Sequence, residues 1–281
     1  MYQISKISKD IENLSLEITY LSTNYKFNSS VDHLPLSLKI LKINGEKFNK
    51  PLNNLLFNLE ILEIYSYDFN QLLDNLPFNL KILVINSKSF GFPIQINNDN
   101  LGDIDENIDE NIDEDIDEDI DDNIGDNICN NLPPNLEVLV IESQLFNNPI
   151  NNLPPNLKNL VIISRIFNHS VDNLPLGLEK LTLDCGSDLS VNNLPSSLRK
   201  LVLGDLFNNS VENLPSSLKN LILGKFFNHS LDNLPSSLEK LTLSYYCIIK
   251  INNMPNIKYL KIFSERTKLK LLIIILNMII F

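Results

Sequence analysis

A Leu-Pro step recurs every 20 or 21 residues along this chain, and no other feature restricts its fold as strongly. The marker positions are Pro35, Leu56 (where leucine replaces the proline), Pro77, Pro133, Pro154, Pro175, Pro195, Pro215, Pro235 and Pro255. One interval, between Pro77 and Pro133, is stretched. A period of this length is typical of a solenoid, because a unit of about 20 residues cannot bury its apolar side chains alone and must stack on its neighbours.

Aliphatic residues follow each marker at the third, sixth and eighth positions, as at Leu157, Leu160 and Ile162. The last two alternate with a period of two, which is the periodicity of a strand. The chain contains no alanine, the best helix former, and 20 residues leave little room for a crossover helix. We therefore predict a mainly β fold: a parallel β solenoid of about ten repeats of 20–21 residues, with little helix.

Phenylalanine lies eight residues before most markers and is usually followed by asparagine. The Phe positions predicted to be structural are Phe27, Phe48, Phe69, Phe146, Phe167, Phe207 and Phe227. The corresponding asparagines are Asn28, Asn147, Asn168, Asn208 and Asn228. Stacking should bury the Phe rings in one column, and the short amide of asparagine can satisfy backbone groups left unpaired at corners.

The segments "FNNSVENLPSSLKNLILG" and "FNHSLDNLPSSLEKLTL" resemble FNIP repeats, which occur in social amoebae and in large DNA viruses of amoebae. The resemblance covers about residues 27–263, apart from one insertion, and departs where Gly91 replaces Asn and Ser187-Asp188 replaces Phe-Asn. It implies a leucine-rich-repeat-like solenoid that serves protein–protein recognition. Some relatives carry an N-terminal F-box, but about 25 residues before the first repeat are too few for one.

Strand residues that alternate with the buried ones should face away from the core. The central positions of this kind are Val84, Val140, Val161, Thr182, Val202, Ile222 and Thr242. Such β-branched residues suit any strand, or they form an exposed apolar strip that binds a partner protein on the concave face of the solenoid; both interpretations stay open. Charges of both signs flank them, which disfavours nucleic acid. The expected partner is an unknown protein, a host protein if the chain is viral.

The net charge of −12 comes from one segment, since residues 95–132 hold fifteen acidic and no basic side chains and the remainder has 20 acidic and 23 basic. Isoleucine recurs there every fourth residue, a period that drifts about 40° per step on a helix. We expect a disordered acidic loop. The Asp113-Asp115-Asp117 spacing resembles a calcium loop, but Glu118 occupies the position that needs glycine, so no specific metal site is predicted.

These observations predict five segments: an N-terminal cap (1–26), repeats (27–94), the acidic insertion (95–129), repeats (130–263) and an apolar cap or tail (264–281). The last segment has two interpretations, a capping strand or a membrane anchor, although it falls short of the roughly 20 residues that span a bilayer. The first residues lack the apolar run of a secretory signal, and three cysteines make no disulfide framework. We expect a cytoplasmic protein, in the host cytoplasm if viral.

No catalytic constellation is visible. His169 and His229 lie three repeats apart, roughly 14 Å at the strand spacing, which is too far to share a metal. Neither a phosphate-binding glycine loop nor a hydrolase or metalloprotease motif is present. The sequence therefore predicts a non-enzymatic interaction scaffold without cofactors, and the alternative is a membrane-associated protein that uses the C-terminal tail.

Overall fold

The computed structural model describes residues 17–91, 129–186, 189–244, 246 and 257–263, and these residues form one sheet of 11 parallel strands without a helix. The strands are β1 (Tyr20–Ser22), β2 (Ile40–Ile43), β3 (Ile61–Tyr65), β4 (Ile82–Asn86), β5 (Val138–Glu142), β6 (Asn159–Ile163), β7 (Lys180–Asp184), β8 (Lys200–Leu203), β9 (Asn220–Leu223), β10 (Lys240–Ser244) and β11 (Tyr259–Phe263). Each strand pairs with the next one in the chain. The predicted parallel β solenoid is confirmed, and the additional strand β1 lies within the predicted cap.

The stretched interval does not interrupt the sheet. Strand β4 pairs directly with β5, in the register Leu83 opposite Leu139, and equivalent residues therefore remain aligned across the insertion. Residues 92–128 lie outside the described residues, as do 1–16 and 264–281. The predicted disorder of the acidic insertion, its calcium chemistry and both interpretations of the C-terminal tail thus stay predictions, as do the segment boundaries.

The Leu-Pro step forms a tight turn before each strand. The backbone N–H of Leu38 donates to the carbonyl of Pro35 at 3.0 Å, and the same bond recurs at the markers as far as Pro235. One residue later the ladder to the preceding repeat begins, as where the N–H of Glu60 donates to the carbonyl of Lys39 at 2.8 Å. The first four residues after each marker therefore lie at the edge where the strands start, which we call the amino edge.

The Phe side chains form a stacked column inside the main core. Phe27, Phe48, Phe69, Phe90, Phe146 and Phe167 follow one another with ring centroids 5.7–6.0 Å apart, and Phe207 and Phe227 stack at 6.1 Å. Phe90, which the sequence analysis did not include, bridges the insertion by stacking on Phe146. In the repeat between Phe167 and Phe207, Leu189 is buried in the core.

The asparagines that follow Phe form a ladder at the surface. The side-chain oxygen of Asn147 accepts the backbone N–H of Asn168 at 3.0 Å, and that of Asn208 accepts the N–H of Asn228 at 2.9 Å. Asn28 occupies the same position of the first repeat and is exposed. The side chains of Asn147 and Asn208 therefore each fix the corner of the following repeat.

Replacing Asn208 by Leu should lower the free energy of unfolding by about 0.5–1.5 kcal/mol, because the N–H of Asn228 loses its acceptor. Asn208→Asp keeps an acceptor at that position and should retain most of the stability. Urea denaturation followed by circular dichroism measures both variants. Equal midpoints for Asn208→Leu and the parent chain would contradict a stabilising ladder.

A serine ladder runs beneath the Phe column. The hydroxyl of Ser66 donates to the carbonyl of Phe48 at 2.7 Å, and that of Ser87 donates to Phe69 at 2.8 Å. Ser143 and Ser164 repeat the contact on Phe90 and Phe146. These buried hydroxyls satisfy carbonyls that the strands do not reach, so they couple each repeat to the one before it.

Cys129 fills the aliphatic position that lies four residues before the marker and is completely buried. Burial raises the pKa of its thiol to about 12. Burial also raises the pKa of Cys185. Because the thiolate is the reactive form, burial disfavours nucleophilic reactions at both cysteines, and both pack in the main core.

Candidate protein-binding surfaces

The central column on the open face of the sheet, opposite the main core, holds the residues predicted to bind a partner. Val84, Val140, Val161, Thr182, Val202 and Thr242 retain 1–6% exposure, and Ile222 is half-buried. Of the two open interpretations, the exposed apolar strip therefore disagrees with the structure, except at Ile222. Neighbouring side chains on this face therefore cover most of each member.

The covering is clearest on β4–β6. There Val84, Val140 and Val161 form a second apolar cluster, and partly buried neighbours pack against it: Tyr65, Ile82, Val138 and Ile163. A partner lying on this face would contact the flanking side chains first. Whether the central column itself contributes to binding stays a prediction.

Towards the C-terminal end the same face becomes basic. Lys180 pairs with Lys200 in the sheet register, and Lys240 follows beyond one intervening strand. Burial lowers the pKa of Lys200, and the positive charges of Lys180 and Lys240 lower it further. The open face is thus apolar over β4–β6 and positively charged over β7–β10.

Charged side chains of both signs line the amino edge four residues after each marker, and we call this line the edge charge row. Its members are Lys39, Glu60, Lys81, Glu137, Lys158, Glu179, Arg199, Lys219 and Glu239. Glu60 contacts Lys81 at 2.9 Å and Lys39 at 3.3 Å, and these two lysines lower the pKa of its carboxyl, Lys81 more strongly. Exposed pairs of this kind add little stability each, so the row mainly presents alternating charge.

A groove of about 860 Å³ runs along the opposite edge, where the strands end, and we call it the carboxyl-edge groove. Residues that line it include Tyr25, Tyr65, Tyr67, Asn86, Lys88, Glu142, Ile163, Arg165, Asp184, Asp205, Lys225 and Phe226. Tyr67 and Phe226, with 54% and 53% of their surface exposed, stand at its rim. Sequence analysis missed this groove because its residues come from the last position of the strands and from the variable turn that follows each strand.

Hydrogen bonds and charge hold the groove residues in place. The side-chain amide of Asn86 donates to Glu142 at 2.7 Å, and burial raises the pKa of that half-buried carboxyl. The ammonium group of Lys88 lies 2.6 Å from the hydroxyl of Tyr67. The Lys225 ammonium lies 5.3 Å from the ring centroid of Phe226. The groove therefore offers fixed aromatic and polar groups of both charge signs.

Directly after the markers, six consecutive repeats expose an apolar side chain, which together we call the amino-edge stripe. Its members are Leu36, Phe57, Phe78, Pro134, Pro155 and Leu176. The four that are not proline are 62–85% exposed. Side-chain amides fix the backbone beneath, as where Asn58 donates to the carbonyl of Leu36 and Asn79 to that of Phe57, both at 3.0 Å. The sequence signal was an apolar residue after each of these six markers, at a position outside the buried pattern.

The histidines lie at exposed corners. The Nε2 atoms of His169 and His229 each lie 2.9 Å from a backbone carbonyl of the preceding repeat, that of Asn147 and Asn208 respectively. His33 is exposed. Within the described ranges, no group of three or more His, Cys, Asp or Glu residues could hold a metal ion. In the same part of the chain, no helix is long and apolar enough to cross a membrane.

Comparison with known proteins agrees with this architecture. The model of the family described as FNIP Repeat matches residues 187–226. No curated protein sequence matches the chain. CroV588, described as a novel circular LRR protein structure, aligns with a TM-score of 0.62 and 22% identity over 89% of this chain and 37% of its own. YopM from Yersinia enterocolitica WA-314 aligns with a TM-score of 0.49 and 20% identity over 90% of this chain and 56% of its own.

This chain thus spans less than two thirds of the length of either protein, and the likeness to CroV588 concerns the fold alone. The predicted resemblance to FNIP repeats is confirmed by the match, which begins at Ser187 and ends at Phe226. Residues 187–226 therefore match FNIP repeats, within a solenoid of the leucine-rich-repeat type.

Proposed function

We propose that this solenoid is a non-enzymatic scaffold that binds a protein segment in the carboxyl-edge groove. Solenoids of leucine-rich-repeat type are typical of protein–protein interaction, because stacked repeats create an extended binding surface. The observation that carries the proposal is the groove itself, with exposed aromatic residues at its rim and a polar floor. Aromatic side chains are enriched where protein partners bind most strongly.

The dimensions and charges of the groove favour an extended peptide segment. It runs from the repeat of Tyr25 to that of Phe226, eight strand spacings or roughly 38 Å. About eleven extended residues cover that distance. A basic side chain in the segment would lie well beside Glu142, because a cation stabilises the charged form of a carboxyl whose pKa burial has raised.

The proposal replaces the central column by the groove as the main contact surface. Residues with 1–6% exposure offer a partner little area, whereas Tyr67 and Phe226 each present more than half of their surface. We place this scaffold in the cytoplasm, which the low cysteine content favours. The alternative function, membrane association, depends on residues 264–281, and no described residue supports it.

The test compares partners captured from amoebal cells by the tagged full chain and by its variants, with quantitative mass spectrometry. Tyr67→Asp combined with Phe226→Asp should reduce capture of the specific partners at least about tenfold, the loss expected for interface aromatics. Tyr259→Asp, comparably exposed and outside the groove, is the matched control and should keep them. Identical partner sets for all three proteins would contradict binding in the groove.

A further inference from the structure

The amino-edge stripe and the edge charge row run side by side over the same six repeats, from the repeat of Pro35 to that of Pro175. Both lie at the amino edge, because their residues occupy the first and fourth positions after each marker. The stripe is apolar and exposed, which is unusual for an unpartnered surface. The order of residues along these two lines identifies what could cover them.

The stripe complements its own reverse. Read along the solenoid, the stripe is Leu, Phe, Phe, Pro, Pro, Leu. A second copy running in the opposite direction places each phenylalanine opposite a proline and each leucine opposite a leucine. The facing pairs are Leu36 with Leu176, Phe57 with Pro155, and Phe78 with Pro134. Each aromatic ring then meets a compact proline ring rather than another bulky aromatic, so the two edges can approach closely.

The charges of the edge charge row independently favour pairing with a second copy that runs in the opposite direction. Its first six members alternate in sign, beginning with Lys39 and ending with Glu179. Reversal of an alternating row of even length sets every cation opposite an anion. The facing pairs are Lys39 with Glu179, Glu60 with Lys158, and Lys81 with Glu137. Charge complementarity of this kind is what selects a partner and fixes its orientation.

We propose that two copies of this chain pair antiparallel through their amino edges, around a two-fold axis that passes between β4 and β5. The axis lies in the plane of the interface and crosses the solenoid at a right angle. Each line of residues therefore meets its own counterpart in the partner, and the contact is self-complementary, as a two-fold interface requires.

The charges also set the register. A slip of one repeat places lysine against lysine and glutamate against glutamate at every step, which is repulsive. A slip of two repeats restores opposite charges but reduces the overlap from six repeats to four. The six-repeat arrangement therefore has the largest contact without like-charge pairs.

The contact is small. Six repeats extend about 24 Å at the strand spacing. The area that the stripe and the charge row can bury is therefore smaller than that of a standard interface, which buries about 800 Å² on each partner. We expect a dissociation constant on the order of 10 μM. The carboxyl-edge groove lies at the other edge and remains open in both copies, so this pairing does not depend on the proposed function.

Charge reversal tests the pairing on the full chain by sedimentation velocity at about 1–200 μM, a range that brackets the expected dissociation constant. The parent chain should be a reversible dimer. The Lys81→Glu variant sets carboxylates against carboxylates at two symmetric contacts and should dimerise at least about tenfold more weakly. The Glu137→Lys variant sets amines against amines and should weaken the dimer equally. An equimolar mixture of the two variants restores opposite charges and should dimerise like the parent.

Apolar substitutions provide the second arm. Phe78→Asp should abolish the dimer, and Phe226→Asp, an exposed aromatic at the other edge, should leave it unchanged. Circular dichroism of every variant reports whether the sheet is intact. Dimerisation of the equimolar mixture shows in addition that both charge variants are folded. A parent chain that stays monomeric throughout the range, or a mixture no more dimeric than its components, would overturn the proposal.

Discussion

Replacing Phe69 by alanine should lower the free energy of unfolding by about 3–5 kcal/mol, the range for removing a buried Phe side chain. Phe69 is fully buried, and its ring lies between those of Phe48 and Phe90 at centroid distances of 6.0 and 5.9 Å. The alanine would leave a cavity that the flanking rings cannot fill, because the serine ladder and the strands hold the adjacent repeats at a fixed spacing.

Urea denaturation followed by far-ultraviolet circular dichroism measures this effect. Phe226→Ala is the matched control, since that ring is 53% exposed and its loss should change the free energy of unfolding by about 0.5 kcal/mol or less. Repeat proteins can unfold in segments, so a second transition in the Phe69→Ala variant still counts as destabilisation. Equal denaturation profiles for the two variants would show that the Phe column does not support the stack.

The core was predictable because stacking repeats one environment many times. A position that is buried in one repeat is buried in all of them, so Leu or Phe recurs there and the period becomes visible. Leu160 and Leu181 are opposite each other in the sheet, as their common place in the sequence pattern indicates. The same reasoning extends through the insertion, where β4 and β5 stay in register.

The surfaces were less predictable, for two physical reasons. Alternation along a strand indicates which face a side chain lies on, but its exposure depends on the size of its neighbours, which is why Val161 is buried on the open face. The amino-edge stripe has no fixed residue type, since Leu36, Phe78 and Pro134 share only apolar character and exposure. Sequence periodicity therefore detects what packing requires and overlooks positions where several residue types are tolerated.

The position three residues before Phe holds serine in some repeats and glycine in others. In the 21-residue repeats with serine there, Ser66 and Ser164 come two residues after the last buried strand residue. In the 20-residue repeats, Gly204 and Gly224 follow that residue directly. At both glycines the chain passes close to the preceding repeat, as it also does at Gly45 in a 21-residue repeat, so an added Cβ atom would overlap neighbouring atoms.

Gly224→Ala should consequently lower the free energy of unfolding by about 1–3 kcal/mol, the usual cost of overpacking, or by more. A Cβ atom at Gly224 would overlap the carbonyl oxygen of Gly204. That oxygen belongs to backbone that cannot move away freely, because the N–H of Gly204 donates to the carbonyl of Leu183 at 2.8 Å. Relief of the overlap would strain this bond or the spacing between the repeats.

Gly177→Ala is the matched control for this substitution. Its Cβ would meet the carbonyl oxygen of Pro155 at 3.7 Å, an ordinary contact, and its backbone conformation suits alanine. The control should be neutral or stabilising by about 0.4–1 kcal/mol, because alanine restricts the unfolded chain more than glycine does. The midpoints of urea denaturation measure the stability of both variants relative to the parent chain. If Gly224→Ala matched Gly177→Ala, the close approach of successive turns would not be what requires glycine in the shorter repeats.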